Sequence, residues 1–289
     1  MIKIVKAAER LALPPKINIA LFGSSGVGKT TQARTLDPAS TLFLDLEAGM
    51  LAVADWPGDS IDIRKVANEL GWHPWDVCRA LVCFIAGPDP ADLGGIYSRA
   101  SYEQLKGVFG DPADYEKYKT IFIDSITVAS RHSFQWSQLQ PQAVSEKTGK
   151  PDTRGAYGLH GQEMIRWLTQ IQHSDRSTIV VGILDEVTDD LKRTSYTPQI
   201  EGGKTGRELP GIFDQVVTLA NLKTPEGVPY RAFICHLQNP WGFPAKDRSG
   251  CLDMIEKPDL GELMAKIRSG KRLDGTINNT LPSDKKEDK

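Results

Sequence analysis

Residues Gly23-Ser24-Ser25-Gly26-Val27-Gly28-Lys29-Thr30 set two glycines, a lysine and a hydroxyl at the spacing Gly-x4-Gly-Lys-Thr, a complete Walker A motif. Glycines there let successive backbone N–H groups curl around a polyphosphate. Lys29 is spaced to reach the β- and γ-phosphates and the Thr30 hydroxyl to ligate Mg²⁺. Ser24, Ser25, Gly26, Val27 and Thr31 complete the lining of the loop. The apolar run Ile17–Phe22 before it reads as a buried strand, and Thr31–Leu36 after it has helical spacing. That is the strand–loop–helix context the motif requires, so the chemistry implied is binding of ATP with magnesium.

A phosphate loop needs a second carboxylate for the magnesium at the tip of a neighbouring strand. Ile121-Phe122-Ile123-Asp124 supplies one, and Ser125 follows it. Hydrolysis further needs a group that orients water. Asp45 and Glu47 stand after one apolar run, Asp185 and Glu186 after another.

The elements that must position these residues follow the same logic. Thr41–Leu46, Tyr118–Asp124 and Ser177–Leu184 are strand-like, the last nearly all apolar as in a central parallel strand. Asp214–Ala220 and Tyr230–His236 predict two more. Ser101-x-x-Gln104 has the form of a capping box, Asp111-Pro112 of a cap with proline at the first helical position. Residues 137–157 read as a long polar loop, and Leu159, Met164, Ile165, Leu168 and Ile171 as one face of a helix. Residues 185–210 are a charged interruption, and Asp259-x-x-Glu262 opens a last helix to about Ile267. Strands alternating with helices predict an α/β fold with a mostly parallel twisted sheet covered on both faces. One domain over residues 1–269, with an inserted segment at about 48–118 and a disordered polar tail at 270–289, fits this order.

Composition narrows the classes. The 289 residues hold 35 Lys plus Arg against 37 Asp plus Glu, a net charge of −2, so no global basic field announces nucleic acid. At 40% hydrophobic and 25% charged the chain can close a sizeable core. No apolar run approaches the roughly 18 residues of a membrane span. The charged start Met1-Ile-Lys-Ile-Val-Lys6 does not have a signal-peptide core, which predicts a cytoplasmic protein. Cys78, Cys83, Cys235 and Cys251 form no CxxC pair and have no histidines at ligand spacing, so no zinc site is expected. His160 and His236 have no nucleophile or metal partner nearby in sequence, and Trp72, Trp75, Trp136 and Trp241 read as packing rather than base-stacking residues.

Taken together, the motifs resemble the RecA-like P-loop ATPase family. Phe43-Leu44-Asp45-Leu46-Glu47-Ala48-Gly49 is similar to that family's strand ending in Asp-x-Glu, whose glutamate activates water; this selects Glu47. Ile123-Asp124-Ser125 is similar to its Walker B segment. At finer grain the chain resembles phage and prophage ATP-binding, AAA-type proteins of the single-strand annealing and recombination class. The segments that carry this likeness are Gly182–Glu186, Pro198–Gly206, Leu209–Asp214 and Pro244–Arg248. The resemblance implies a slow, DNA-stimulated MgATPase in the cytoplasm of a bacterial host. It implies single-stranded DNA as partner, and a homo-oligomer with ATP between subunits.

In that family, loops after the third and fourth strands grip DNA. Here those loops hold Lys147, Lys150 and Arg154, then Lys192 and Arg193. A nucleotide shared between subunits needs a cation from the neighbour, and Lys204, Arg207, Lys246 and Arg248 are the candidates. Two other readings remain open: an ATP-gated adaptor such as a helicase loader, and a small-molecule phosphotransferase with Asp185–Pro210 as lid.

Overall fold

The computed structural model describes residues 4–188 and 194–272, without the side chains of Lys204, Arg207 and Leu209. The described residues form ten strands and eight α-helices. In chain order the strands are β1 (Asn18–Gly23), β2 (Thr41–Asp45), β3 (Asp59–Asp62), β4 (Thr120–Asp124), β5 (Ser177–Thr188), β6 (Thr194–Pro198), β7 (Gln215–Lys223), β8 (Pro229–Ile234), β9 (Lys246–Asp247) and β10 (Ile255–Glu256). The helices are α1 (Ala7–Ala12), α2 (Ile63–Leu70), α3 (Pro74–Ala86), α4 (Arg99–Phe109), α5 (Ile126–Gln138), α6 (Thr153–His173), α7 (Gly203–Ile212) and α8 (Leu260–Arg268).

The sheet runs in the order β10-β8-β7-β1-β5-β4-β2-β3, with β6 added to β5 and β9 to β7. From β7 across to β3 every pairing is parallel; the fringes formed by β6, β8, β9 and β10 are antiparallel. All residues of β1, β2 and β4 are buried, because both faces of the parallel part are covered. Side chains alternate between two cores, as the period of two in a strand requires. Phe22, Leu44, Ile123 and Val180 point to one core, where Trp75, Met164, Trp167 and Leu168 from α3 and α6 meet them. Leu21, Phe43, Phe122 and Val181 point to the other, against Leu36, Val53, Leu260 and Met264. The result is an α/β/α sandwich with a mostly parallel sheet, as the alternation of elements predicts.

Several local expectations change. The segment after the phosphate loop is a six-residue 3-10 helix, Thr30–Thr35, rather than the start of an α-helix. Leu36 leaves it with extended backbone and Asp37-Pro38 follows, so the helix cannot continue. Residues 48–118 are not a mere decoration, since β3 pairs with β2 and extends the sheet. Within that segment α4 starts one turn before the expected capping box: the cap is Ser98, whose hydroxyl accepts from the Ser101 N–H. Asp111 does cap a short 3-10 turn begun by Pro112. The segment is clamped to α6 by Arg79, which pairs with Glu163 at 2.8 Å and lies 4.1 Å over the Trp136 ring, and by Arg166 paired with Asp92.

The expected loop 137–157 shortens to 139–152, because Asp152 caps α6 and starts it at Thr153. The expected charged interruption after residue 184 instead continues β5 to Thr188, folds back as β6 and passes into α7. The expected tail 270–289 and the residues Lys192 and Arg193 lie outside the described residues, apart from Gly270, Lys271 and Arg272. No helix among the described residues is long and apolar enough to cross a membrane.

Candidate nucleotide site

Parallel strands bring their carboxyl ends to one edge, where α/β sheets bind ligands. The chemistry-bearing residues Gly23, Asp45 and Asp124 all end strands at that edge. Asp45 and Asp124 are direct register partners, and the Leu46 N–H donates to the Asp124 carbonyl at 2.7 Å.

The loop from Gly23 to Thr30 wraps the end of β1. Val27 is buried and anchors it, while Ser24, Ser25 and Gly26 face outward. Gly23 has to be glycine: a methyl group there would sit 2.6 Å from the Leu219 carbonyl oxygen of β7. Gly28, at φ +101°, takes the left-handed backbone that side chains disfavour. Lys29 is 8% exposed, and its Nζ donates to the carbonyls of Gly23 at 3.0 Å and Ser24 at 2.8 Å. Burial lowers its pKa against the opposing pull of Asp124 and Glu47. Thr31 lies half-buried beside it.

Thr30 Oγ1 donates to Asp124 Oδ2 at 2.5 Å. Asp124 is 1% exposed, and its pKa is pushed up to about 6 by that burial; the Thr30 hydrogen bond and Lys29 act the other way, while Glu47 and Asp45 add to the rise. The peptide joining Asp124 to Ser125 is cis. The buried Ser125 is the cap of α5, accepting from the Val128 N–H, and it donates its hydroxyl to Glu47 Oε1. Asp45 takes a different role from the one open to it in sequence. Its Oδ1 accepts from the N–H groups of Glu47 at 3.0 Å and Gly49 at 3.1 Å, closing the turn that presents Glu47 to solvent. Asp185 and Glu186 stand on the exposed β5–β6 extension, paired across it with Thr197 and Tyr196. A paired hydroxyl and carboxylate, both oxygen donors, with one edge of the pair on the phosphate loop, fit a Mg²⁺ ion.

The four candidate neighbour-facing cations separate. Lys246 Nζ donates to the carbonyls of Pro210 at 2.6 Å and Phe213 at 2.8 Å, and Arg248 pairs with Asp214 at 2.9 Å. Both lie beside the start of β7, at the amino ends of the parallel strands, opposite the phosphate loop. Their side chains are engaged within their own chain. Lys204 and Arg207 fall on α7, with side chains outside the described set. Lys147 and Lys150 sit on the exposed tip of a loop closed by the Val144–Pro151 bridge, and Arg154 on the exposed first turn of α6. None of the three forms an ion pair among the described residues.

Of the tryptophans, Trp75 is fully buried against Trp167, while Trp241 is 36% exposed. His160 is a packed core residue, bonded to Ser133 Oγ and the Glu201 carbonyl. All four cysteines are buried and free. Sequence reasoning missed Arg231, whose guanidinium lies against Gly28. Nothing in its strand-like surroundings marks it.

A phosphate loop at the carboxyl edge of a parallel sheet, with a strand-tip carboxylate beside its threonine, defines a P-loop ATPase of the α/β class. The chain belongs to the AAA domain family, whose model matches residues 15–249. Among solved structures it is similar to one described as "a prototypical ATPase from the type III secretion system of pathogenic bacteria". That likeness has 17% identity and a TM-score of 0.37, covering 71% of this chain and 52% of the other. The chain thus spans about half the length of that protein. A search of curated proteins finds no match.

Proposed function

We propose that this protein binds MgATP at the carboxyl edge of its sheet, hydrolyses it slowly, and acts on single-stranded DNA in recombination, annealing or replication of the phage type. The observation that carries the ATPase reading is the meeting of Thr30, Asp124, Ser125 and Glu47 beside Lys29, from three different strand ends. Thr30 and Asp124 would hold Mg²⁺, which would supply positive charge to offset that of the phosphates. Lys29 exchanges its two carbonyl bonds for phosphate oxygens, using a flexible stem and a point charge. Ser125 occupies Oε1 of Glu47, which leaves Oε2 to accept a hydrogen bond from the attacking water and orient it toward the γ-phosphate.

The DNA part of the reading rests on the resemblance and on Lys147, Lys150 and Arg154, exposed and without ion pairs among the described residues. Such cations are available to phosphates, and their contribution would fall steeply with salt. A homo-oligomer with ATP between subunits and a setting in the bacterial cytoplasm belong to the same reading. The test is ATP turnover with and without single-stranded DNA, beside Glu47→Gln and a Lys147/Lys150/Arg154 triple alanine variant. DNA stimulation lost in the triple variant supports the proposal. Tight ATP binding without any DNA response overturns its DNA part and favours an ATP-gated adaptor; a phosphorylated small-molecule product would favour a phosphotransferase.

A further inference from the structure

The wall of the phosphate loop opposite the acids carries its own cation. Strand β7 pairs with β1 only from Gln215 to Thr218, against Ile19 to Phe22. From Leu219 onward it runs past the end of β1 and alongside the phosphate loop, which is why the Leu219 carbonyl approaches Gly23. Strand β8 pairs with it along this whole extension, from Thr218–Ile234 to Lys223–Pro229, and sets Arg231 opposite Asn221. The hairpin therefore stands on one side of the loop. Strands β5, β4 and β2, with Asp124 and Glu47 at their tips, stand on the other.

Arg231 reaches from this hairpin onto the loop. A methyl group on Gly28 would lie 2.9 Å from its Nη1, 3.7 Å from its Cζ and 4.0 Å from Thr31 Oγ1. The guanidinium makes no ion pair and no side-chain hydrogen bond among the described residues, and the residue is exposed. Five N–H donors in a rigid planar fork are thus uncommitted beside a loop whose own function is to receive phosphate oxygens. Lys29 already places one positive charge in that loop, so a second cation against it is unfavourable until an anion lies between them.

Taking Gly23–Thr31 as the ATP site, we propose that Arg231 is a phosphate clamp from the same chain, a binding residue that grips the α- and β-phosphates. The assignment to those two follows from position. Loop N–H groups cradle the α- and β-phosphates, while the lysine and magnesium serve the β and γ. Arg231 sits by Gly28, on the hairpin side of the loop, away from the strands that carry Asp124 and Glu47. Contacts to α and β are shared by substrate and product, so Arg231 holds ADP as firmly as ATP and slows product release. A planar fork can engage two phosphate oxygens at once, which a lysine cannot match.

Equilibrium binding of ADP and of a non-hydrolysable ATP analogue, with Mg²⁺, tests this in wild type, Arg231→Ala, Arg231→Lys and Lys29→Ala. Arg231→Ala is expected to weaken both nucleotides by the same factor, about ten- to a hundredfold, and Arg231→Lys to recover part of the loss. Thermal melting without nucleotide should be unchanged in Arg231→Ala, because the side chain is exposed and unpaired. Wild-type ADP affinity in Arg231→Ala, with binding lost in Lys29→Ala, would overturn the clamp and leave the ATP site standing. Loss of the ATP analogue alone would move the contact to the γ-phosphate and overturn the assignment to α and β. Wild-type affinity in Lys29→Ala would instead sink the ATP-site reading beneath it.

Discussion

The Thr30 hydroxyl donates to Asp124 Oδ2 at 2.5 Å across 94 residues of sequence. This bond ties the phosphate loop to the neighbouring strand end, and it places a carboxylate that water would otherwise solvate in a nearly closed pocket. Burial holds Asp124 at about 6, above the 3.8 of an unfolded aspartate. Between those values the folded chain keeps a proton that the unfolded chain has lost, so without metal and nucleotide this group makes stability fall as pH rises from about 4 to 6.

Asp124→Asn is therefore expected to be more stable than wild type at pH 7 in the absence of Mg²⁺ and nucleotide, by about 3 kcal/mol. The advantage should shrink to nothing near pH 4, where the wild-type carboxyl is protonated in both states. Asparagine keeps an oxygen to accept from Thr30 but lacks the charge for the metal, so ATP turnover should be lost. Denaturant melts at pH 7 and pH 4 check the first part; equal stability at pH 7 would refute it.

Ser125 is expected to act through Glu47. Ser125→Ala frees the carboxylate from its only side-chain partner among the described residues and removes the α5 cap, costing about 1 kcal/mol of stability. Turnover should fall severalfold with KM for ATP nearly unchanged. Glu47→Gln should lower kcat by about 10²–10⁴. A rise in KM for ATP matching the fall in kcat in Ser125→Ala would show that the serine serves the loop rather than the water-orienting group.

Gly23→Ala should be among the most damaging small substitutions in the chain. The added methyl meets backbone, the Leu219 carbonyl at 2.6 Å, rather than a movable side chain. Parting β1 from β7 there costs about 1–3 kcal/mol, read as a lower melting temperature, and nucleotide affinity should fall with it.

His160 predicts acid sensitivity of the opposite sign to Asp124. It is fully buried, its ring bonded to Ser133 Oγ at 3.0 Å and to the Glu201 carbonyl at 2.8 Å, and burial lowers its pKa below 6.5. The unfolded chain therefore takes up a proton that the folded chain resists, and stability present above about pH 6.5 is lost as pH falls. His160→Gln should be less stable than wild type at pH 8, with a smaller loss between pH 7 and 5. An unchanged pH slope in melts of the variant would refute the assignment.

The motifs legible in the sequence are those whose meaning is local. The glycine spacing around Lys29 works through backbone conformation within eight residues, and Asp259 caps α8 as its spacing with Glu262 predicts. Ile121–Asp124 reads as a buried strand ending in an acid because its apolar run needs no partner to be recognised. Where the reading failed, the deciding force was tertiary. Residues 185–188 and 194–198 became a β-extension because β6 offers β5 a ladder, and β3, with no buried residue, joined the sheet through pairing with β2.

That a polyphosphate loop follows a buried strand is written locally, since the glycines in place dictate the required backbone shape. Which side chains share that loop depends on how the strands assemble. Asp45 and Asp124 meet because β2 and β4 pair in register, Ser125 reaches Glu47 over 78 residues, and Arg231 arrives from an antiparallel hairpin that outruns β1. Strand order and register are set by long-range hydrogen bonding and by the burial of two opposite faces, and these bring together residues that no spacing along the chain relates.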